Sequence, residues 1–129
     1  MNKILVEISV GELLDKISIL EIKKEKIKDS EKLKFINDEY EVLKNELEKN
    51  IKIDEKLTKL FVALKNINSK LWDIEDDIRE CERKKLFDQT FIDLARSVYF
   101  TNDERAKVKN DINKTFGSEL VEVKSYEEY

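Results

Sequence analysis

The chain has 129 residues, 42% of them charged, with no proline and two glycines. This length suits one domain, residues 1–129, and the scarcity of turn residues predicts long amphipathic helices with charged outer faces. The 29 acidic and 25 basic residues nearly cancel. General binding to nucleic acid or to an anionic membrane surface is therefore not expected, because either needs a basic excess.

The residue types that are absent exclude several kinds of site. There is no histidine and only one cysteine, Cys81, which excludes a Ser-His-Asp triad, a disulfide within the chain and a zinc site made of Cys or His. A metal ion would have to be bound by carboxylates, as magnesium is. The chain start does not resemble a signal peptide and no apolar run reaches the roughly 18 residues of a membrane span, so a cytoplasmic location is expected.

The first predicted helix begins at Val10, where Ser9 and Glu12 form a capping box. Apolar residues then recur at alternating steps of three and four, as in a heptad, and the helix is expected to end near Lys28. The apolar, β-branched residues 3–8 predict a short strand or extended arm before it.

Two further helices follow the same heptad pattern. Asp29 or Ser30 caps the second, which is expected to end near Asn50. Asp54 caps the third, which should run to about Leu86 and is the longest in the chain. The short connections between these helices predict antiparallel neighbours.

The last part of the chain predicts one or two more helices. Asp88 caps a fourth, and Thr101 and Asn102 either cap a fifth or interrupt the fourth. Gly117 is a suitable terminator after it. The expected fold is all-α, an antiparallel bundle of four to five helices around one long central helix. Its short extended N- and C-terminal arms could pair with each other, or the C-terminal arm could form an extended strap.

A polar stripe beside the apolar seam of the third helix is the first candidate site. Trp72 and Asp76, and likewise Glu75 and Arg79, are four residues apart and so share a face. They predict a polar pocket with an aromatic wall, in which the carboxylates could bind magnesium. The alternative is a surface ion pair between Glu75 and Arg79 beside a half-buried tryptophan.

A row of hydrogen-bond donors on the last helical segment is the second candidate site. Its members are Asn102, Arg105, Lys109 and Asn113, with Arg96 and Tyr99 just before them. Steps of three and four place the row on one face, which suits an anionic ligand such as a phosphate or carboxylate. The alternative is a solvated face whose cations pair with neighbouring acids.

Several segments together resemble a family of short bacterial proteins classed as a domain of unknown function. They are Glu7 to Ile17, Leu71 to Arg79, Phe87-Asp88, Leu94 to Tyr99, Asn102 to Ala106, Gly117-Ser118 and Lys124 to Tyr126. The resemblance covers nearly the whole chain and includes both candidate sites, together with Glu12, Asp15 and Lys16. It implies a shared polar centre between helices and a role near surface-polysaccharide biosynthesis. The helical chorismate mutases are a weaker likeness, since no arginine precedes Arg79 here.

Two functions of different classes remain open from the sequence. The first is a non-enzymatic binding or scaffold protein that associates through helix faces, as a homo-oligomer or with a partner protein. The second is a small enzyme or ligand-binding regulator for an anionic metabolite such as a nucleotide, nucleotide sugar or carboxylate. In the second case Arg79, Arg96, Arg105 and Lys109 would bind the anion, and Glu75 or Asp76 would act as a base or a magnesium ligand.

Overall fold

A computed structural model describes residues 2–129, and within that range it contains four α-helices and no strand. The helices are α1 (Val10–Lys26), α2 (Ser30–Asn50), α3 (Glu55–Lys84) and α4 (Gln89–Thr115). The predicted all-α class is confirmed. No helix in the described part of the chain is both long enough and apolar enough to cross a membrane.

Each helix begins where a short polar side chain caps it. The side chains of Ser9, Asp29, Asp54 and Asp88 each accept a hydrogen bond from the backbone amide three residues later. Such a bond satisfies one of the amides that have no partner inside the first turn, which is why these residue types start helices. The predicted starts are therefore confirmed to within one residue.

The expected break at Thr101 and Asn102 is wrong, because α4 continues through both residues. Thr101 is almost completely buried between neighbouring helices, and no glycine or proline occurs between residues 89 and 115. Packing of this stretch therefore outweighs the local tendency of threonine and asparagine to act as caps.

The terminal arms do not pair as strands in the part of the chain that the structure describes. Ile4, Leu5 and Val6 are largely exposed and meet no neighbouring strand that would order them. The C-terminal residues instead lie along α4, where Glu122 binds Lys109. Of the two alternatives, strand pairing of the arms is therefore not found among the described residues, and the tail contacts a helix instead.

α1 is the helix that contacts all three others, whereas the 30-residue α3 contacts α1 and α4. The core around α1 consists of Leu13, Leu14, Ile17, Leu47, Leu57, Leu64 and Ile112. α4 runs antiparallel to α1, since residues 113, 109 and 105 meet residues 11, 12 and 15 in that order.

α1 covers only the half of the α3–α4 hairpin nearest the termini. The last buried residue of α3 is Ile74 and the first of α4 is Thr101. Within residues 75–100, the projecting half of the hairpin, no residue is buried, so α1 covers this half little. The edge of the covered region is where the candidate site lies.

Candidate functional site

A groove with a volume of about 540 Å³ lies between α1, α3 and α4. It is lined by Ile19, Ile22, Asn68, Leu71, Trp72, Glu75, Asp76, Arg79, Asn102 and Arg105. The α3 residues reach it together because they recur at steps of three and four along one face. One wall is therefore aromatic and apolar, and the rim carries both carboxylates and guanidinium groups.

The rim of the groove is open to solvent. Arg79 donates to Glu75 at 3.4 Å, and its side chain is 70% exposed. An exposed pair at this separation contributes little to stability. The predicted ion pair is therefore present, but it lies on the rim and leaves Arg79 free to turn toward a ligand.

Below the lining residues Asn68 and Arg105, at the floor of the groove but not itself part of the lining, lies the buried carboxylate of Asp15, which is 1% exposed. Arg105 holds it with two nitrogens, Nε to Oδ1 at 2.9 Å and Nη2 to Oδ2. Asn68 donates to the same Oδ1 at 2.9 Å and to the hydroxyl of Ser18 at 2.8 Å. Bidentate pairing satisfies the carboxylate and fixes the guanidinium plane. The pKa of Arg105 is raised above its ordinary value chiefly by the hydrogen bonds to Asp15.

Lys109 lies behind this floor, away from the groove. Its Nζ atom is 2.7 Å from a carboxylate oxygen of Glu12 and 2.7 Å from one of Glu122, and it is 4.0 Å from Asp15. Burial acts to lower the pKa of Lys109, but these carboxylates outweigh it and raise the pKa. Hydrogen bonds from Lys109 and then Lys124 lower the pKa of Glu122 to about 2.

Asn113 caps α1 and does not reach the groove. Its Oδ1 accepts from the amide of Gly11 at 2.7 Å, and the hydroxyl of Ser118 accepts from Val10 at 3.3 Å. Ser118 reaches this place because Gly117 takes a left-handed conformation with φ of 64°, which glycine adopts without strain. Asn113 and Ser118 therefore join the end of α4 to the start of α1.

Six of the ten predicted ligand-binding residues meet in the groove. They are Trp72, Glu75, Asp76, Arg79, Asn102 and Arg105. Arg96 and Tyr99 lie farther along α4, where Arg96 is 5.9 Å from the Phe100 ring and Tyr99 packs against Tyr129. Within residues 2–129 no group of three or more acidic or thiol side chains is arranged to hold a metal ion.

Comparison with known proteins relates nearly the whole chain to one protein family. The profile of a family described as a family of unknown function (DUF6165) matches residues 4–129. The chain belongs to this family. The predicted relationship to a family without known function is thereby confirmed. No curated protein and no solved structure matches the chain, so its function must be argued from the site.

Local sequence patterns do not single out Asp15, which only the family resemblance includes. Its carboxylate is the buried acceptor that holds Arg105 and Asn68. The sequence does contain an indication that Asp15 is buried, because Asp15 and Ser18 directly follow the core residues Leu14 and Ile17. Polar side chains at such positions are expected to be buried and to need partners.

Proposed function

We propose that this protein is a non-enzymatic protein that binds a small anionic metabolite in the groove between α1, α3 and α4. The observation that carries the proposal is the convergence of six predicted residues from two helices on one concave surface. Small-molecule sites commonly combine a largely apolar lining with a few polar groups that converge on one point.

The apolar and the cationic residues of the lining suit two parts of one ligand. Trp72, with Ile19 and Ile22 beside it, offers a flat apolar surface for a ring. Arg79 and Arg105 offer planar groups of donors, which match the oxygens of a phosphate or carboxylate. Two nitrogens of Arg105 donate to Asp15. The remaining nitrogen, Nη1, lies 3.5 Å from Oδ1 of Asn102.

The carboxylates of the rim narrow the choice of ligand. Glu75 and Asp76 would repel a bare anion, yet proteins often hold magnesium with one or two carboxylates while phosphates supply the other ligands. A phosphorylated ring compound carried with its magnesium ion would match both signs of charge in the groove. Nucleotides and nucleotide sugars fit this description, and the latter agree with the proposed role near surface-polysaccharide biosynthesis. The cytoplasm is the compartment in which such ligands occur together with magnesium.

We expect a ligand of this class to raise the thermal unfolding temperature of the protein. Nucleotides, nucleotide sugars and dicarboxylates would be screened with and without magnesium. A ligand present at a hundred times its Kd adds about 2.7 kcal/mol to the free energy of unfolding. It should also change the fluorescence of Trp72, the only tryptophan in the chain.

The matched variants for this screen are Arg79→Gln and Arg83→Gln. Arg83 is one turn further along α3, equally exposed, and binds Glu80 instead of lining the groove. Arg79→Gln should abolish most of the shift and Arg83→Gln should preserve it. If both variants lost the ligand-induced rise in unfolding temperature equally, or if no ligand raised that temperature in the unaltered protein, the proposed site would be refuted. Mass spectrometry of the recovered ligand would show turnover if the protein were an enzyme.

The projecting half of the α3–α4 hairpin supports a second candidate function, association with another protein chain. Leu86, Phe87, Ile92 and Phe100 are between 42% and 54% exposed there. Exposed apolar residues grouped in this way are typical of interaction surfaces, and the heptad spacing would suit coiled-coil contacts. This is the scaffold function predicted from the sequence.

Light scattering after size exclusion would test self-association. We expect a mass above that of one chain, reduced to one chain by Phe87→Glu. Phe35→Glu is the control, because Phe35 is similarly exposed but lies on α2. A single-chain mass for the unaltered protein at high concentration would reject the homo-oligomer.

A further inference from the structure

The C-terminal tail, residues 118–129, is attached to the helices at few points. The hydroxyl of Ser118 accepts from Val10 at its start, and at its end Tyr129 packs on Tyr99 and Phe100 and hydrogen-bonds Asp103. Between them, Glu122 makes the one ion pair found between the tail and a helix in the described chain, with Lys109. The amide of Ser118 donates to the carbonyl of Asn113 at 2.9 Å. Beyond it no backbone–backbone hydrogen bond is found in the described part of the tail, so this ion pair matters for its docking.

A row of charges leads from that ion pair to the groove. Glu122 binds Lys109, Lys109 lies 4.0 Å from Oδ2 of Asp15, and the same Oδ2 accepts from Arg105. Arg105 is itself part of the groove lining. The side chain of Asp15 is 2% exposed. Its carboxylate therefore lies between Arg105, which lines the groove, and Lys109, which binds the tail through Glu122.

We propose that occupation of the groove releases the C-terminal tail, and that Asp15 transmits the effect. The inference rests on the proposed function of the groove as an anion site. An anionic group bound to Arg105 competes with Asp15 for the guanidinium. Asp15 then moves toward its next cation, Lys109, where it meets Glu12 and Glu122.

Glu122 is the carboxylate that leaves, for two reasons. Three carboxylates around one ammonium group repel one another, the more so because Lys109 and Asp15 are buried. Glu12 and Asp15 are held by the rigid α1, whereas Glu122 belongs to a segment without regular structure. By linkage, an undocked tail must in turn favour binding in the groove.

Limited trypsin digestion of the full-length protein tests this coupling without any ligand. Lys124 lies in the tail two residues after Glu122 and its side chain is 49% exposed. Undocking of the tail frees the residues on both sides of Lys124 to enter the protease and should speed cleavage after it. When opening is fast compared with cleavage, the rate reports the population of the open form. The rate of loss of residues 125–129 would be followed by mass spectrometry under conditions in which the helices remain folded.

Two variants should change this rate in opposite directions. Arg105→Gln frees Asp15 for Lys109 and should speed cleavage at least fivefold, within the range typical of coupled sites. Asp15→Asn removes the competing charge from Lys109 and should slow cleavage. Arg83→Gln, which removes a charge of α3 that binds Glu80 outside the groove, should leave the rate unchanged.

The double variant Asp15→Asn with Arg105→Gln should behave like Asp15→Asn alone, because the effect of Arg105 requires the Asp15 charge. Simple destabilisation would speed cleavage in both single variants, and that result would overturn the proposal. Unchanged rates in all variants would overturn it as well. Since these rates need no ligand, they can support the coupling even if the ligand screen fails, and the screen can succeed even if the coupling fails.

Discussion

Arg105→Ala should lower the free energy of unfolding by about 3 kcal/mol. Removing one partner of a buried ion pair leaves the other charge buried without compensation, which typically costs 3–5 kcal/mol. Asp15 would retain Asn68 as a donor and Lys109 at 4.0 Å, which places the expected loss near the lower end of that range. Urea unfolding followed by helical circular dichroism measures the change.

Two further variants show whether the uncompensated charge is the cause. Replacing both members, Asp15→Leu with Arg105→Leu, should recover much of the loss, because apolar residues can replace a buried ion pair at little or no cost. Arg79→Ala removes an exposed arginine of the same groove and should change stability by less than about 0.5 kcal/mol. A double variant as unstable as Arg105→Ala would contradict the argument.

Gly11→Ala should lower the free energy of unfolding by about 2 kcal/mol. A Cβ atom at this position would lie 2.5 Å from the carbonyl oxygen of Lys109 and 2.9 Å from Oδ1 of Asn113. Since the first of these is backbone, α1 and α4 would have to move apart, and overpacking of this kind typically costs 1–3 kcal/mol. The same urea titration measures the loss.

Gly117→Ala is the control, because its expected cost comes from backbone strain and not from a steric clash. No atom lies within 4 Å of a Cβ placed there, but φ is 64°, so the expected cost of about 1 kcal/mol is backbone strain alone. An unobstructed Gly→Ala change inside a helix stabilises by up to about 1 kcal/mol. A neutral or stabilising result for Gly11→Ala would therefore show that α1 and α4 do not approach this closely.

The close approach of α1 and α4 also explains how the site is built. Gly11 lets the helices touch, and this contact brings Asp15 opposite Arg105. The buried carboxylate then holds the guanidinium in one orientation before any ligand arrives. Preorganised donors of this kind lower the entropy that binding must overcome.

The helix boundaries could be read from the sequence because caps and heptads are local. Ser9, Asp29, Asp54 and Asp88 each cap an amide three residues away, so neighbours along the chain are sufficient to identify them. The continuity of α4 through Thr101 could not be read in the same way. It depends on burial of that side chain, which is a property of the packed helices.

The candidate site was only partly predictable for the same physical reason. Asn102, Arg105, Lys109 and Asn113 share one face of α4, and the sequence alone treats them as one set. α1 crosses that face, so the start of the set meets the groove while Lys109 and Asn113 are buried against α1. Periodicity defines a face but not which neighbour covers each part of it.

The sequence by itself determined that the chain is helical, that caps lie at Ser9, at Asp29 or Ser30, at Asp54 and at Asp88, and that Trp72, Glu75, Asp76 and Arg79 share a face of α3. Only the tertiary structure decided that this face meets Asn102 and Arg105, and that Asp15 lies beneath them. The hydrogen bonds between Asp15 and Arg105 span 90 positions of the chain. Contacts over such separations depend on the packing of α1 against α4, which the local pattern of residues does not specify.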